Sequence, residues 1–366
     1  MSALTLVLNS SNNVDTTNKS TYRYNFIAGA LAIPEGSEIC VSSIVLPYSW
    51  FNINQQIYNN NTFAYTFPMA GNFTSIVSTT QITISSLTSG SIQIGATLFG
   101  GTIIGGTTIL SQASGTPNGN GVYNINTSQT GATATTSVLQ QSYTVVLPNG
   151  FYQINDINQY LQNLMISRGQ YLISGGSNIY FLSIAVNVTY YANIIVSTVV
   201  PISLPSGYTN NTGGAVGLGM GFPNVASTPQ FQVVASSPAF GTIIGFLTGL
   251  YPPTVQATSY SITSNTTPNA TPVNSLVIRC SLVVNACGFP TDILDAMPIT
   301  SAFGTNINYQ PSYEKWVGIN GGRYLTLTIT FQDQNFNTIQ FNDTNILITL
   351  LIKKGKSEKL IKALAI

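Results

Sequence analysis

The stretch RYLTLTITF, residues 323–331, decides the fold class, because Leu325, Leu327, Ile329 and Phe331 alternate with Thr326, Thr328 and Thr330. A period of two places one set on each face of an extended chain, which is the pattern of a half-buried β-strand. A turn over residues 333–335 follows, then FNTIQF and NILITLLI. The C-terminal third thus reads as an antiparallel meander whose last strand, apolar on both faces, is central.

Working outward, Tyr22, Tyr24 and Phe26 alternate with Arg23 and Asn25, and EICVSSIVLP follows the turn-like IPEGS. This reads as two strands joined by a short connection. Further strands are expected over residues 179–190, 194–200, 231–234 and 276–284. One helix is expected over about residues 156–167, where Ile157, Tyr160, Leu161, Leu164 and Met165 share a face and Asn155 or Asp156 can cap the first turn. Many strands, one helix and loops rich in Gly, Asn, Thr and Pro predict an all-β fold, a β-sandwich or jelly roll.

The composition is unusual for such a fold. Charged residues make up 6% of the 366 positions, against about 25% in an average soluble chain, and there is no histidine. The 44% hydrophobic content, with 19 tyrosines and 17 phenylalanines, still supplies a large core, so the chain is expected to fold. No Asp, Glu, Lys or Arg occurs from Ile39 to Asn155, or from Gly169 to Ile278. A net charge of +1 gives no field that would steer nucleic acid or an anionic membrane. Five of the eleven cations, however, fall in residues 353–366.

MSALTLVLNSSNN lacks a basic region, so no secretory signal is expected, and no apolar run reaches the roughly 20 residues of a membrane span. Cys40, Cys280 and Cys287 form an odd, sparse set that reads as buried free thiols from a reducing compartment.

One segment has a different texture. Residues 75–142 consist almost wholly of Ser, Thr, Gly, Ile, Asn and Gln, and short strands QITISS, SIQIG, TTILSQ and VYNINTS alternate with TSG, GGTIIGG and SGTPNGNG turns. We read it as a small Gly/Thr-rich β module inserted between two host strands, NTFAYTF and YTVVL. The expected division is a discontinuous jelly roll over 1–74 and 143–352, the module over 75–142, and a basic tail over 353–366.

Catalytic patterns are absent. Without histidine there is no Ser-His-Asp or Cys-His system and no HExxH zinc site. Two carboxylate pairs remain, Asp292 with Asp295 and Glu35 with Glu38, and they read more simply as a helix start and a solvated turn than as a glycosidase dyad. Gly355-Lys356-Ser357 lacks the preceding glycine of a phosphate loop, since position 350 is Leu. Gly213 to Phe222, GGAVGLGMGF, leads into Pro223 rather than a helix and reads as a flexible surface loop. No catalytic, cofactor or metal site is expected. Asn-x-Ser/Thr triplets at Asn60, Asn72 and Asn187 are weak glycosylation signals in a chain so rich in these residues.

Four segments together resemble the single jelly-roll penton (vertex) proteins of icosahedral double-stranded DNA viruses with double jelly-roll major capsid proteins, of giant-virus and virophage type. They are TYRYNF with ICVSSIVLPYSWFNINQQIYNNNTFAY, where Trp50, Asn52 and Ile53 fall on a tryptophan-asparagine-isoleucine element; VVLPNGFYQINDINQYLQNLM, with Gly150, Tyr152, Ile157 and Leu161; FGTIIGFLTGLYP, with Gly245 and Phe246; and the C-terminal YLTLTITFQDQNFNTIQFNDTNILITLLIKK. In the first turn of that last segment Asn335 stands where the family pattern has glycine, and asparagine also tolerates a left-handed backbone. The module is similar to small surface modules of phages and viruses, through Gly90-Ser-Ile-Gln-Ile-Gly95, Gly106-Thr-Thr-Ile109 and Gly121-Val-Tyr123.

The resemblance implies a non-enzymatic virion protein forming homopentamers at the five-fold vertices, assembled in the host cytoplasm without a cofactor. Its implied partners are neighbouring major and minor capsid proteins, with a host surface or a fibre for the module. For the tail, Lys353, Lys354, Lys356, Lys359, Leu360, Lys362 and Leu364 are the expected capsid-contact residues, against the alternative of a solvated end. The competing function is a fibre-type adhesin or carbohydrate-binding surface protein, favoured by the Tyr/Asn/Thr-rich loops and expected to be trimeric.

Overall fold

Eight strands build the first of two units into which the chain divides, Met1–Asn52 with Thr271–Ile366; the second is Ile53–Ala270. The computed structural model describes residues 3–15, 19–26, 29–99, 102–139, 141–213, 217–223 and 225–355. The eight strands are β1 (Ala3–Asn9), β2 (Thr21–Asn25), β3 (Glu38–Pro47), β4 (Ser275–Cys280), β5 (Ile293–Pro298), β6 (Asn306–Tyr309), β7 (Thr326–Asp333) and β8 (Leu347–Lys353).

They form two four-stranded antiparallel sheets in the orders β1-β8-β3-β6 and β2-β7-β4-β5, with residues 317–318 adding a short pairing to β3. Strand 1 thus pairs with 8, 2 with 7, 3 with 6 and 4 with 5. That is the pairing of one long hairpin rolled into two sheets, the jelly roll. Burial alternates along β7: Leu327, Ile329 and Phe331 are fully buried and the threonines partly exposed. On β8, Ile348, Leu350 and Ile352 are buried. Phe331 links the sheets through rings: Tyr22 lies 6.0 Å away on β2, Phe341 5.6 Å away in the approach to β8, and Trp50, just past β3, lies 5.5 Å from Phe341.

Several expectations change here. β8 is central, but β7 and β8 lie in different sheets, so the C-terminal third is not a meander. FNTIQF is loop, because Asp333 collects the chain into a turn: its carboxylate accepts the Asn335 and Asn337 amides, both at 2.8 Å, and the Asn337 side chain at 2.9 Å. The left-handed residue there is Phe336 (φ 64°), not Asn335. Leu325 precedes the strand and is 68% exposed rather than core. Likewise, β2 and β3 belong to different sheets although they are close in sequence.

In the second unit, residues 141–146, 62–67, 230–233 and 249–251 form a four-stranded sheet in that order. Around it stand two three-stranded sheets and helix α1 (Ile154–Ser167). Ile154, Ile157, Leu161 and Met165 of α1 are buried, with Tyr160 and Leu164 packed beside them. The capping residue is Gln153, whose backbone N–H donates to Asp156 Oδ2 at 2.8 Å, rather than Asn155 or Asp156 acting as the cap itself. A second helix, α2 (Pro238–Ile244), starts with proline and ends at Gly245 in the left-handed region (φ 80°).

Residues 53–74 and 143–270, expected within the jelly roll, therefore lie outside its eight strands. The strand signals at 62–67, 143–146 and 231–233 coincide with strands, whereas the expected strand over 179–190 divides into Ser177–Tyr180 and Leu182–Asn187 and ends in a 3-10 turn, and that over 194–200 stops at Ser197. The partners are one another, Thr62–Phe67 pairing with Gln141–Val146 and with Gln230–Val233.

The Gly/Thr-rich segment forms its own four-stranded sheet from Asn72–Ser89, Thr97–Phe99, Ile109–Gly115 and Gly121–Leu139. It has a separate apolar cluster that includes Phe73, Ile82, Leu98, Ile109, Tyr123 and Ile125. It leaves and returns at Phe67 and Gln141, which are paired across the host sheet. SIQIG is a turn rather than a strand, with Gly95 at φ 84°.

Candidate assembly surface

Charge is partitioned between the two units. Asp156 and Arg168 are the only charged residues between 53 and 270. Asp156 is taken by the start of α1. Arg168 Nη1 donates to the Tyr65 hydroxyl at 2.6 Å, and the guanidinium lies 4.3 Å from the Tyr143 ring centroid. Tyr65 in turn donates to Gln170 at 2.7 Å. Burial pushes the Tyr65 hydroxyl up to about 12 although Arg168 pulls it down, so the pair is a neutral phenol under a cation.

In the jelly roll three ion pairs form among the described residues. Arg279 meets Asp292 at 2.9 Å, Lys315 meets Asp295 at 2.9 Å, and Lys353 meets Glu38 at 3.0 Å. Hydrogen bonding to Asp295 raises Lys315, and Tyr309 donates to the same carboxylate at 2.8 Å. The two aspartates therefore serve different ion pairs. Asp292 precedes a strand and Asp295 lies within it, where the sequence suggested a helix start. Glu38 likewise opens β3. No cluster of three metal-binding side chains occurs among the described residues, and no helix there is long and apolar enough to cross a membrane.

The two ends of the roll differ. At one end the loops after β1, β5 and β7 meet the chain leaving β3: Tyr48 N–H donates to Thr305 O at 2.9 Å, Asp343 N–H to Ser49 Oγ at 3.0 Å, and Ser10 N–H to Ile346 O at 2.9 Å. The chain departs towards residue 53 from this end. At the other end Ile319 N–H donates to Ser37 O at 3.1 Å, Val284 N–H to Gly318 O at 2.9 Å, and Gly355 N–H to Ser37 Oγ at 3.0 Å. The basic tail departs here. Lys353 is committed to Glu38 and lies 5.6 Å from the Trp316 ring, while Lys354 is exposed. Lys356, Lys359, Leu360, Lys362 and Leu364 lie outside the described residues.

Within the glycine-rich stretch, residues 219–221 are buried, where a surface loop was expected, while Gly217 and Leu218 are exposed. A Cβ on Gly221 would lie 1.6 Å from the Ala70 carbonyl oxygen and one on Gly90 2.0 Å from the same atom. Three chain segments therefore meet at Ala70, at the base of the Gly/Thr-rich sheet, and only glycine fits two of them. Cys40 and Cys280 are buried, with burial pushing their thiols up to about 11 and about 12; Cys287 is exposed, contrary to the reading of all three as buried. Asn60, one of the glycosylation triplets, is 5% exposed and accepts from the Asn54 amide.

No protein-family model matches the chain, and no curated protein matches it. Among solved structures it is similar to the mavirus penton protein, at 9% identity and a TM-score of 0.34, over 96% of this chain and 98% of that one. It is also similar to a chain of the Sputnik virophage structure, at 11% identity and a TM-score of 0.34, over 96% and 97%. The strand order of the roll, rather than these likenesses, carries the assignment of an all-β jelly-roll fold.

Proposed function

We propose that the chain is a structural capsid protein that forms homopentamers at the five-fold vertices of an icosahedral double-stranded DNA virus. The observation that carries this reading is a complete eight-stranded jelly roll with residues 53–270, almost devoid of charge, inserted between β3 and β4. Jelly rolls are recurrent capsid building blocks. Identical copies around an axis bring identical surfaces together, and an uncharged flank avoids the like-charge repulsion that follows.

In this reading the tail-bearing end faces the capsid and the end from which residues 53–270 depart faces outward. The tail, Lys353 to Leu364, docks onto acidic surfaces of neighbouring major and minor capsid proteins, and the module over 75–142 meets a host surface or fibre. Assembly takes place in the host cytoplasm, no enzymatic step is involved, and no cofactor is needed. A chain ending at Ile352 is expected to fold normally yet fail to enter capsids, and normal incorporation rejects the arm. A reconstruction of the virion tests the whole: vertex density built as five copies of this chain supports it, and vertex density that excludes five copies refutes it.

A fibre-type adhesin remains the second reading because Val188, Tyr190 and Tyr191 stand 85%, 74% and 77% exposed on one tight turn, an arrangement suited to stacking on a sugar. It predicts three copies rather than five.

A further inference from the structure

The roll has four sheet edges, and they are protected unequally. Along β2, Val14 N–H donates to Arg23 O at 2.9 Å and Arg23 N–H to Asn13 Oδ1 at 2.8 Å, so residues 13–14 cover the edge, which also carries a charge. β5 carries Asp295, which binds the Ala296 amide at 2.9 Å, and ends in Pro298, which has no N–H to offer. Charge, proline and a covering segment are the usual protections of an edge.

Among the described residues, β1 has none of these. It is seven residues long, ALTLVLN, and no charged residue precedes Asp15. Ser10 N–H donates to Ile346 O, and β1 pairs with β8 in the register Leu8 to Ile348 and Leu6 to Leu350. Antiparallel ladders alternate, so Leu4, Leu6 and Leu8 direct their backbone groups to β8 while Thr5 and Val7 direct theirs to the open side. No hydrogen bond to those groups occurs among the described residues. Leu4 and Leu6, whose side chains face inward, are only half-buried, and Val7 is 62% exposed. An uncharged apolar edge of this length is a template for a further strand.

The opposite edge of the same sheet fits it. β6, Asn306–Tyr309, is also uncharged. Tyr48 N–H to Thr305 O fixes its phase against β3, so Ile307 and Tyr309 face β3 and the backbone of Asn308 faces outward. An open cleft runs beside it, lined by Ala296, Pro298, Asn308, Gln310 and Pro311 among others. Every pairing in the sheet is antiparallel and the strand number is even, so β1 of a second copy placed head-to-tail beside β6 is again antiparallel. The side chains of Val7 and Asn308 are both on the solvent face, so this register also keeps both apolar faces inward. A heterologous contact of this kind closes into a ring when the rotation allows.

We propose, resting on the homopentamer reading, that the β1 edge of one copy docks in the cleft beside β6 of the next and continues the sheet between subunits. The test is native mass determination of Val7→Pro, which removes the outward N–H without touching the β8 pairing, and oxidation of a Val7→Cys/Asn308→Cys chain in a Cys287→Ser background. The expected results are wild-type rings, a Val7→Pro protein with unchanged melting that no longer assembles, and a covalent ladder up to the ring size. Rings that persist in Val7→Pro overturn the edge contact and leave the pentamer standing. A covalent dimer from Val7→Cys alone identifies a β1–β1 contact and also overturns it. A wild-type chain that stays monomeric and gives no cross-linked species even in the presence of its capsid partners rejects both.

Discussion

Phe331→Ala and Leu325→Ala remove apolar side chains that stand at equivalent points of one alternating pattern, and the structure predicts very different outcomes. Phe331 is fully buried, with T-shaped contacts to Tyr22 and Phe341 at 6.0 and 5.6 Å. Truncating a buried phenylalanine costs about 3–5 kcal/mol. Two edge-on ring pairs, each worth roughly 0.5–1.5 kcal/mol beyond burial, place this site in the upper half of that range, at about 4–5 kcal/mol. Leu325 is 68% exposed, so only a third of its surface is removed from water and its loss amounts to less than about 1 kcal/mol. In guanidinium denaturation with a slope of about 4 kcal/mol per molar, the first change lowers the midpoint by about 1 M and the second by less than about 0.25 M. Equal losses at both positions would refute the assignment of β7's buried face and with it the packing of the roll.

Phe336, at φ 64° and 40% exposed, is predicted to tolerate glycine with a gain of about 0.5–1 kcal/mol, measured by the same denaturation; a loss would show that its ring, not its backbone, matters. Burial raises Tyr24, Tyr65 and Tyr123 to about 12, and Tyr22 and Tyr143 higher still. Between the unfolded value near 10 and those folded values the native state holds more protons, so stability falls as pH rises from about 10 to about 12. Ultraviolet titration should show these five phenolates appearing only on unfolding, and ionisation with the fold intact would contradict it. Replacing residues 72–140 by a short Gly/Ser linker between Gly71 and Gln141 should leave a cooperatively melting protein, because the segment's apolar cluster is its own. Loss of folding would show that it belongs to the host core.

Local signals proved legible and non-local ones did not. The period of two at 326–333 and the helical face of Ile157, Leu161 and Met165 both depend on neighbouring residues alone, and the structure has the strand and the helix there. The turn glycines of the module, Gly90, Gly95 and Gly106, announce themselves because each takes a positive φ. Sheet membership is different: β7 and β8 are adjacent in sequence and separated in space by the rolling of the hairpin, which no local pattern records. The same holds for Gly221, whose need for glycine comes from Ala70 across the fold. On the proposed assembly surface the two uncharged runs, 39–155 and 169–278, are legible in the sequence, whereas nothing local in ALTLVLN distinguishes an edge strand with an open side from a paired one.

The most direct test of the account is the mass of the native assembly, formed by the purified chain alone or together with its capsid partners. The account predicts a species of five times 39.0 kDa, closed and without intermediates once assembly is complete. A stable trimer would contradict it in favour of the adhesin reading, and a chain that remains a monomer in the presence of its capsid partners would contradict any vertex role.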